Sequence, residues 1–175
     1  MKDGHETIAE AFKYALRMEL DGKKFYTIAA RDSTSRVGKE LYSWLAEQEA
    51  AHYKRFEEIY TVISEQKGWP SSHISPPKPI KLGTLFSRLI KEASKSAGAK
   101  GDITSTEKAI EMEIKSRDYY KDRAGKSSSA DEKNFFTEIS AEEQGHYLAL
   151  VDYKEYISDP VDWFTRTEHH LLDGI

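Results

Sequence analysis

The chain has 175 residues, of which 38% are apolar and 32% charged, and its formal net charge is −4. This length supports one domain with a substantial core, and the charge balance argues against the basic stripe of a nucleic-acid-binding protein. The absence of cysteine excludes disulfides, thiolate metal sites and thiol nucleophiles. Since the N-terminus shows no signal-length apolar segment and no apolar run could span a membrane, we expect a soluble cytoplasmic protein with neither membrane nor nucleic-acid partners.

Four long helices are predicted, because apolar residues recur at intervals of three and four through most of the chain. The first two are expected over 6–30 and 37–66, and the other two over 104–125 and 129–157. Three of the helix starts carry the Ser, Thr or Asp and the following Glu of a capping box: Asp3 with Glu6, Thr104 with Glu107, and Ser129 with Glu132. The fold class is therefore predicted to be all-α.

The second and third helices are joined by a long crossover, expected over 68–103, which is too long for a tight turn. Five apolar residues within it have the spacing of a short amphipathic helix laid over the bundle: Leu82, Leu85, Phe86, Leu89 and Ile90. The tail over 159–175 begins at Asp159-Pro160, and we expect Trp163 and Phe164 to dock it onto the body. No boundary divides the chain, so a single domain over 1–175 is predicted.

A repeat with an offset of 94 residues relates the two halves of the chain. The segment "ALRMELDGKKFY" (15–26) matches "AIEMEIKSRDYY" (109–120), and "LAEQEAAHYKRF" (45–56) matches "ISAEEQGHYLAL" (139–150). Each half is therefore a helical hairpin with one Glu on its first helix and Glu-x-x-His on its second.

The recurring polar residues point to a metal site. They are Glu19, Glu49, His52, Glu113, Glu143 and His146. Residues three apart share a helical face, so each Glu-x-x-His can reach one point. Four buried carboxylates would repel one another without a counter-charge, and two divalent cations would neutralise them.

The pattern is the ligand set of di-iron and di-manganese carboxylate bundles, in which we expect two of the four glutamates to bridge the ions. Oxygen donors with one imidazole per ion and no thiolate suit iron or manganese, while zinc stays open. A single Glu-x-x-His in a charged helix is usually a solvated pair, and it is the second copy at the same offset that favours the metal interpretation.

Outer-shell candidates follow from the same repeat. Tyr26 and Tyr120 lie seven residues after the first-helix and third-helix glutamates, where a phenol can hydrogen-bond a ligand carboxylate. The alternative, in which both are core tyrosines without a role at the metal site, fits the pattern equally well. Gln48 and Glu142 directly precede the motif glutamates and are candidates for orienting the histidines.

Over residues 6–157 these motifs resemble the ferritin-like superfamily, and their contexts resemble rubrerythrin in particular. The resemblance implies a ferritin-like four-helix bundle whose metal ligands carry the chemistry, with no separate catalytic residues. It also implies a di-iron oxidoreductase that reduces hydrogen peroxide to water with electrons from a carrier, and a dimeric assembly.

Two features depart from that family pattern. Rubrerythrins carry a rubredoxin domain that holds iron with four cysteines, and this chain has no cysteine. The electron donor, rubredoxin-like or a flavoprotein, would then be a separate molecule. Rubrerythrins also have a further glutamate one turn after the third-helix ligand, where this chain has Ser116, so the set is nearer to a ferroxidase centre.

The motifs are therefore compatible with three functions. The first is reduction of peroxide or dioxygen, the second is iron oxidation and handling, and the third is a redox-inert bundle that metal merely stabilises. The long crossover also leaves open a domain-swapped homodimer, in which each site would draw three ligands from each chain.

Overall fold

The computed structural model describes residues 7–65, residue 69 and residues 100–172, with side chains in the last range described over 102–166. All regular structure within these ranges is helical: α1 (Ile8–Asp32), α2 (Arg36–Ser64), α3 (Lys100–Lys126), α4 (Ala130–Ser158) and α5 (Pro160–Leu172). Helix α1 packs along α2, and α3 packs along α4. The prediction of an all-α bundle built from two hairpins is confirmed. None of the described helices is long and apolar enough to cross a bilayer.

Helix α1 begins with a capping box, but not the predicted one. The Thr7 side chain accepts from the Glu10 backbone N–H at 3.3 Å, and the Glu10 carboxylate accepts from the Thr7 N–H at 2.9 Å. The predicted pair of Asp3 and Glu6 lies outside the described residues, as does the predicted crossover helix.

Helix α4 begins as predicted at its cap, where Ser129 accepts from the Glu132 N–H at 3.2 Å. The Glu132 carboxylate accepts from the N–H of Ser128 at 3.4 Å instead of closing the box on the cap residue. The sequence therefore predicted the cap correctly and only half of its hydrogen bonding.

The predicted start of α3 at Thr104 is wrong, because the helix already begins at Lys100. Thr104 is an exposed interior residue, and Glu107 forms an ion pair with Lys154 of α4 at 2.8 Å. In the added first turn the buried carboxylate of Asp102 accepts hydrogen bonds from Ser33, which follows the end of α1, and from Tyr153 of α4. These contacts stabilise a start that local sequence does not predict.

The core consists of two apolar clusters at opposite ends of the four-helix body. One is formed by the end of α1 and the start of α2, together with the start of α3 and the end of α4; it includes Tyr26, Leu41, Leu45 and Tyr153. The other lies at the opposite end and includes Phe12, Phe56, Tyr120 and Phe136. Burying each large side chain contributes about 1.5–3 kcal/mol to the stability of the fold. The two clusters therefore stabilise the bundle on both sides of its middle.

The tail docks onto the body as predicted, and it does so as a helix. Asp159 ends α4, and its carboxylate accepts from the Asp162 N–H at 3.0 Å, while Pro160 occupies the first helical position of α5. Trp163 is 7% exposed, and its indole N–H donates to Asp152 Oδ1 at 2.8 Å. The sequence predicted that Trp163 docks onto the body and that Pro160 follows the end of α4. It did not predict that Pro160 begins another helix.

Candidate metal centre

All six predicted ligands lie between the two apolar clusters, and none is more than 6% exposed. They come from the four helices of the bundle: Glu19 on α1, Glu49 and His52 on α2, Glu113 on α3, and Glu143 and His146 on α4. Both hairpins that contribute belong to one chain. The repeat therefore places four carboxylates and two imidazoles in one buried zone.

The ligand atoms form two overlapping groups, in each of which all atoms lie within 4.8 Å of one another. The first group comprises Glu19, Glu49, His52 and Glu143, and the second comprises Glu49, Glu113, Glu143 and His146. Glu49 and Glu143 belong to both groups. These two carboxylates thus occupy the positions from which a residue can bridge two cations.

Each imidazole turns its Nδ1 atom toward the carboxylates. His52 Nδ1 lies 3.0 Å from Glu143 Oε1 and 3.2 Å from Glu19 Oε2. His146 Nδ1 lies 3.2 Å from Glu143 Oε2 and 3.5 Å from Glu113 Oε2. The two imidazole rings stack with their centroids 5.5 Å apart, so the two Nδ1 atoms can bind neighbouring metal ions.

Four inner atoms of this cluster make no hydrogen bond of good geometry within the described part of the chain, although His52 Nδ1 and Glu143 Oε1 lie close to each other. The four atoms are Glu19 Oε2, His52 Nδ1, Glu113 Oε2 and Glu143 Oε1. The outer oxygens are satisfied, because Tyr120 donates to Glu19 Oε1 and Tyr26 donates to Glu113 Oε1. Since buried polar atoms normally have partners, unsatisfied oxygens and a nitrogen converging on one zone fit a pair of divalent cations.

The predicted outer-shell residues behave differently in the two halves. Glu142 Oε2 lies 2.9 Å from His52 Nε2, and Arg55 holds the same carboxylate through two N–H groups at 3.1 and 2.6 Å. In the described residues no corresponding hydrogen bond joins Gln48 to His146. The His146 ring instead packs against the Trp44 ring, with the two ring centroids 5.4 Å apart. Among the described residues, a carboxylate contacts the outer Nε2 atom of His52, and no such contact is found at His146 Nε2.

Replacing Glu142 is expected to weaken metal binding without removing a ligand. Glu142→Gln leaves His52 without its carboxylate partner, and loss of such a partner typically lowers metal affinity about 10–100-fold. Titration calorimetry with Mn²⁺ or Co²⁺ measures the change. Glu138→Gln, on an exposed position of the same helix, is the matched control and should bind like the unmodified chain; equal affinities for the two variants would show that Glu142 does not position His52.

Sequence reasoning missed Gly22 and Arg55. A Cβ atom at Gly22 would lie only 2.5 Å from Glu49 Oε2, so the glycine allows this carboxylate to lie against α1. Its counterpart in the repeat is the half-buried Ser116. Arg55 stands one turn after His52, a spacing that offers a weak signal, but its repeat counterpart is Ala149 and the pattern therefore did not single it out.

Burial and mutual repulsion shift the proton affinities of the cluster. Burial and the surrounding carboxylates raise the pKa of Glu49 well above its usual range, and burial with the charge of Glu143 raises the pKa of Glu113 to about 8. Burial alone would lower the pKa of His146, but the carboxylates outweigh it and raise that pKa to about 9. The same balance raises the pKa of His52 well above its usual range. At neutral pH the metal-free cluster therefore holds protons.

Metal binding is consequently expected to release protons at pH 7, because metal ligands must be deprotonated. Raised pKa values at Glu113 and His146 mean that metal affinity should increase as the pH rises toward about 9. Calorimetry in buffers of different ionisation enthalpy detects the released protons. A binding enthalpy that is independent of the buffer would contradict this charge assignment.

A helical bundle with one Glu from each of two helices and Glu-x-x-His from each of the other two belongs to the ferritin-like class of carboxylate bundles, whose centre is compatible with two iron ions. A comparison with known protein families matches Rubrerythrin over residues 10–154, a range that contains all six residues of the cluster. The chain belongs to the rubrerythrin family. Searches of curated proteins and of solved structures found no match.

Proposed function

We propose that the cluster binds two iron ions and that the protein reduces hydrogen peroxide, or dioxygen, with electrons from a separate donor. The observation that carries the proposal is the convergence of six buried side chains in two overlapping groups, with four of their carboxylate or imidazole atoms making no hydrogen bond of good geometry within the described residues. Family membership supports it, since the match covers the whole cluster. Manganese and zinc remain the other metals that this donor set suits.

In this proposal Glu49 and Glu143 would contribute to both metal positions, because they belong to both groups of ligand atoms. Glu19 and His52 would complete one position, and Glu113 and His146 would complete the other. When bound, the ferrous pair supplies the two electrons that reduction of one peroxide requires. The protein holds the six ligands and encloses them between apolar clusters that exclude bulk water.

The two tyrosines keep the outer carboxylate oxygens occupied. Burial and the nearby carboxylates raise the pKa of Tyr26 and of Tyr120 well above their usual range, so both phenols stay protonated at physiological pH. Each therefore continues to donate to its glutamate, Glu113 or Glu19. This arrangement leaves the inner oxygens facing the ions and positions the ligands before metal arrives.

Anaerobic titration of the ferrous protein with hydrogen peroxide tests the proposal. We expect about one peroxide to be consumed for each ferrous pair, because two electrons are needed per molecule. The double variant Glu49→Ala/His52→Ala is the comparison. A ferrous protein that reacts no faster than this variant would refute peroxide reduction at the cluster.

Iron oxidation and handling is the second candidate function, favoured by Ser116 in place of a further carboxylate. It predicts repeated oxidation of added Fe²⁺ by dioxygen with release of ferric iron, and a storage role further predicts a large cage. Elution as a homodimer with about two metals per chain would count against storage, since the cluster has two overlapping groups. Purification with redox-inert zinc would instead favour the structural role. The homodimer, its domain-swapped form and the cytoplasmic location stay predictions.

A further inference from the structure

The two metal positions have matched ligand sets. Each group of ligand atoms contains one histidine, one unshared glutamate and the same two shared glutamates. Each unshared glutamate also accepts a hydrogen bond from one tyrosine, Glu19 from Tyr120 and Glu113 from Tyr26. We call the two places the His52 position and the His146 position. A difference in how they bind a cation is therefore expected from the residues behind the ligands.

Behind His52 lies an anchored carboxylate. Glu142 Oε2 is 2.9 Å from His52 Nε2, and two N–H groups of Arg55 hold the same carboxylate at 3.1 and 2.6 Å. Arg55 is buried and the Glu142 side chain is only 20% exposed, so water competes little for this contact. A carboxylate that accepts the Nε2 proton keeps the lone pair on Nδ1, fixes the orientation of the ring and makes Nδ1 more basic.

Behind His146 the described residues provide no such partner. The Trp44 ring packs against the imidazole at a centroid distance of 5.4 Å, and the only polar atom of an indole is an N–H, which cannot accept a proton. The repeat places Gln48 and Ala149 where the other half has its carboxylate and its arginine. This half therefore lacks both the anion and the residue that would hold it.

Net charge does not distinguish the two halves. The opposite charges of Glu142 and Arg55 cancel, and their counterparts Gln48 and Ala149 are neutral. The difference lies in the basicity and orientation of the imidazole. Because the arginine shares the carboxylate with His52, we expect a gain in metal affinity near the lower end of the range of about 10–100-fold that such a partner typically provides.

We propose that a divalent cation fills the His52 position first and the His146 position only when more metal is added. This inference rests on the proposed function, which requires two ions in the cluster. The first ion repels the second, so any such centre binds its ions in two steps, and the residues behind the histidines decide which position is filled first. A chain with one ferrous ion supplies one electron, half of what reduction of a peroxide requires. Occupancy of the His146 position therefore limits the reaction when iron is scarce.

Nuclear magnetic resonance of the two histidines measures the order of filling. Zn²⁺ suits this donor set and is diamagnetic, so it can be titrated into the metal-free full chain labelled with ¹⁵N-histidine. Metal binding shifts the ¹⁵N resonance of Nδ1, and the variants His52→Gln and His146→Gln identify the two signals among the six histidines.

The His52 signal should change first. With an affinity ratio of about tenfold, about three quarters of the His52 positions and about one quarter of the His146 positions are filled when one Zn²⁺ is bound per chain. Repulsion between the ions makes the contrast larger, because it disfavours chains that hold two. Equal changes of the two signals throughout the titration, or an earlier change at His146, would overturn the proposal.

A double variant tests whether Glu142 and Arg55 set the order. Glu142→Gln/Arg55→Ala gives the His52 half the residue types of the other half, and it removes the arginine together with its partner, so no unpaired charge stays buried. We expect the two histidine signals of this variant to change together, whereas Glu138→Gln, on an exposed position of α4, should keep the order. A double variant that still fills the His52 position first would overturn the proposal, because the order would then have another cause. Circular dichroism checks its folding, and the titration of the unmodified chain decides the order by itself.

These outcomes are separable from those of the peroxide titration. Ordered filling in a protein whose ferrous form does not consume peroxide would overturn the proposed reaction and leave the unequal positions standing. Equal filling in a protein that consumes peroxide would overturn the unequal positions alone. If neither histidine signal changes with Zn²⁺, both proposals fail.

Discussion

Saturating the centre with a divalent metal is expected to raise the free energy of unfolding by about 4 kcal/mol when free metal is about 1,000 times the dissociation constant. For a chain of this size, that gain corresponds to an increase in Tm of about 8–16 °C. The physical reason is that four carboxylates lie buried in overlapping groups whose atoms are within 4.8 Å, and metal replaces their repulsion by attraction. Scanning calorimetry with and without Mn²⁺ measures the shift.

The metal-free protein should also lose stability as the pH rises. The folded state holds protons on Glu113 up to a pKa of about 8 and on His146 up to about 9, whereas the unfolded chain releases them at the usual lower values. Wherever the folded state binds more protons, stability falls with increasing pH. We therefore expect the metal-dependent increase in Tm to be larger at pH 9 than at pH 6. An increase in Tm that is absent at both pH values would contradict the account.

Glu49→Gln is expected to abolish most of this stabilisation, because Glu49 belongs to both groups of ligand atoms. The loss of affinity should exceed the roughly 10–100-fold change typical of losing an outer-shell partner. The metal-free variant should nevertheless be at least as stable as the unmodified chain. Burial and its neighbours raise the pKa of Glu49, which shows that its charge is disfavoured in the fold, and glutamine keeps its shape without that charge.

Glu47→Gln provides the matched control for that variant, since Glu47 is an exposed residue of the same helix. It should retain the full metal-dependent increase in Tm. The account would be contradicted if Glu49→Gln bound metal as tightly as Glu47→Gln. It would also be contradicted if Glu49→Gln unfolded at a much lower temperature in the absence of metal, because Glu49 would then stabilise the fold rather than bind metal.

The hairpins and the six polar residues were predictable because their signal is local and occurs twice. Glu49 and His52 share a helical face through their spacing alone, and the offset of 94 residues assigns the same geometry to Glu143 and His146. The start of α3 was not predictable in this way. Its first turn is held by Asp102, whose hydrogen-bond partners come from residues far away in the chain.

The surroundings of the site show the same limit. The repeat made Gln48 and Glu142 equal candidates, but within the described residues only Glu142 contacts a histidine. Glu142 is also held by Arg55, whose position in the other hairpin is occupied by alanine. The close approach of Gly22 to Glu49 likewise depends on how α1 packs on α2. Contacts between helices therefore distinguish two halves that the sequence makes similar.

Helix α5 shows that one sequence signal can have two meanings. Asp159 and Pro160 predict the end of α4, but an aspartate followed by proline is also a common way to begin a helix, and here the pair does both. The docking of Trp163 depended only on its apolar character and was predicted.

The proposed centre uses six side chains to bind two metal ions. Its stoichiometry can be measured by anaerobic titration of the metal-free protein with Fe²⁺, followed by removal of free metal and elemental analysis. We expect saturation at about two irons per chain, one for each group of ligand atoms, and loss of this binding in Glu49→Gln but not in Glu47→Gln. Saturation well below one iron per chain, or equal binding by both variants, would contradict it.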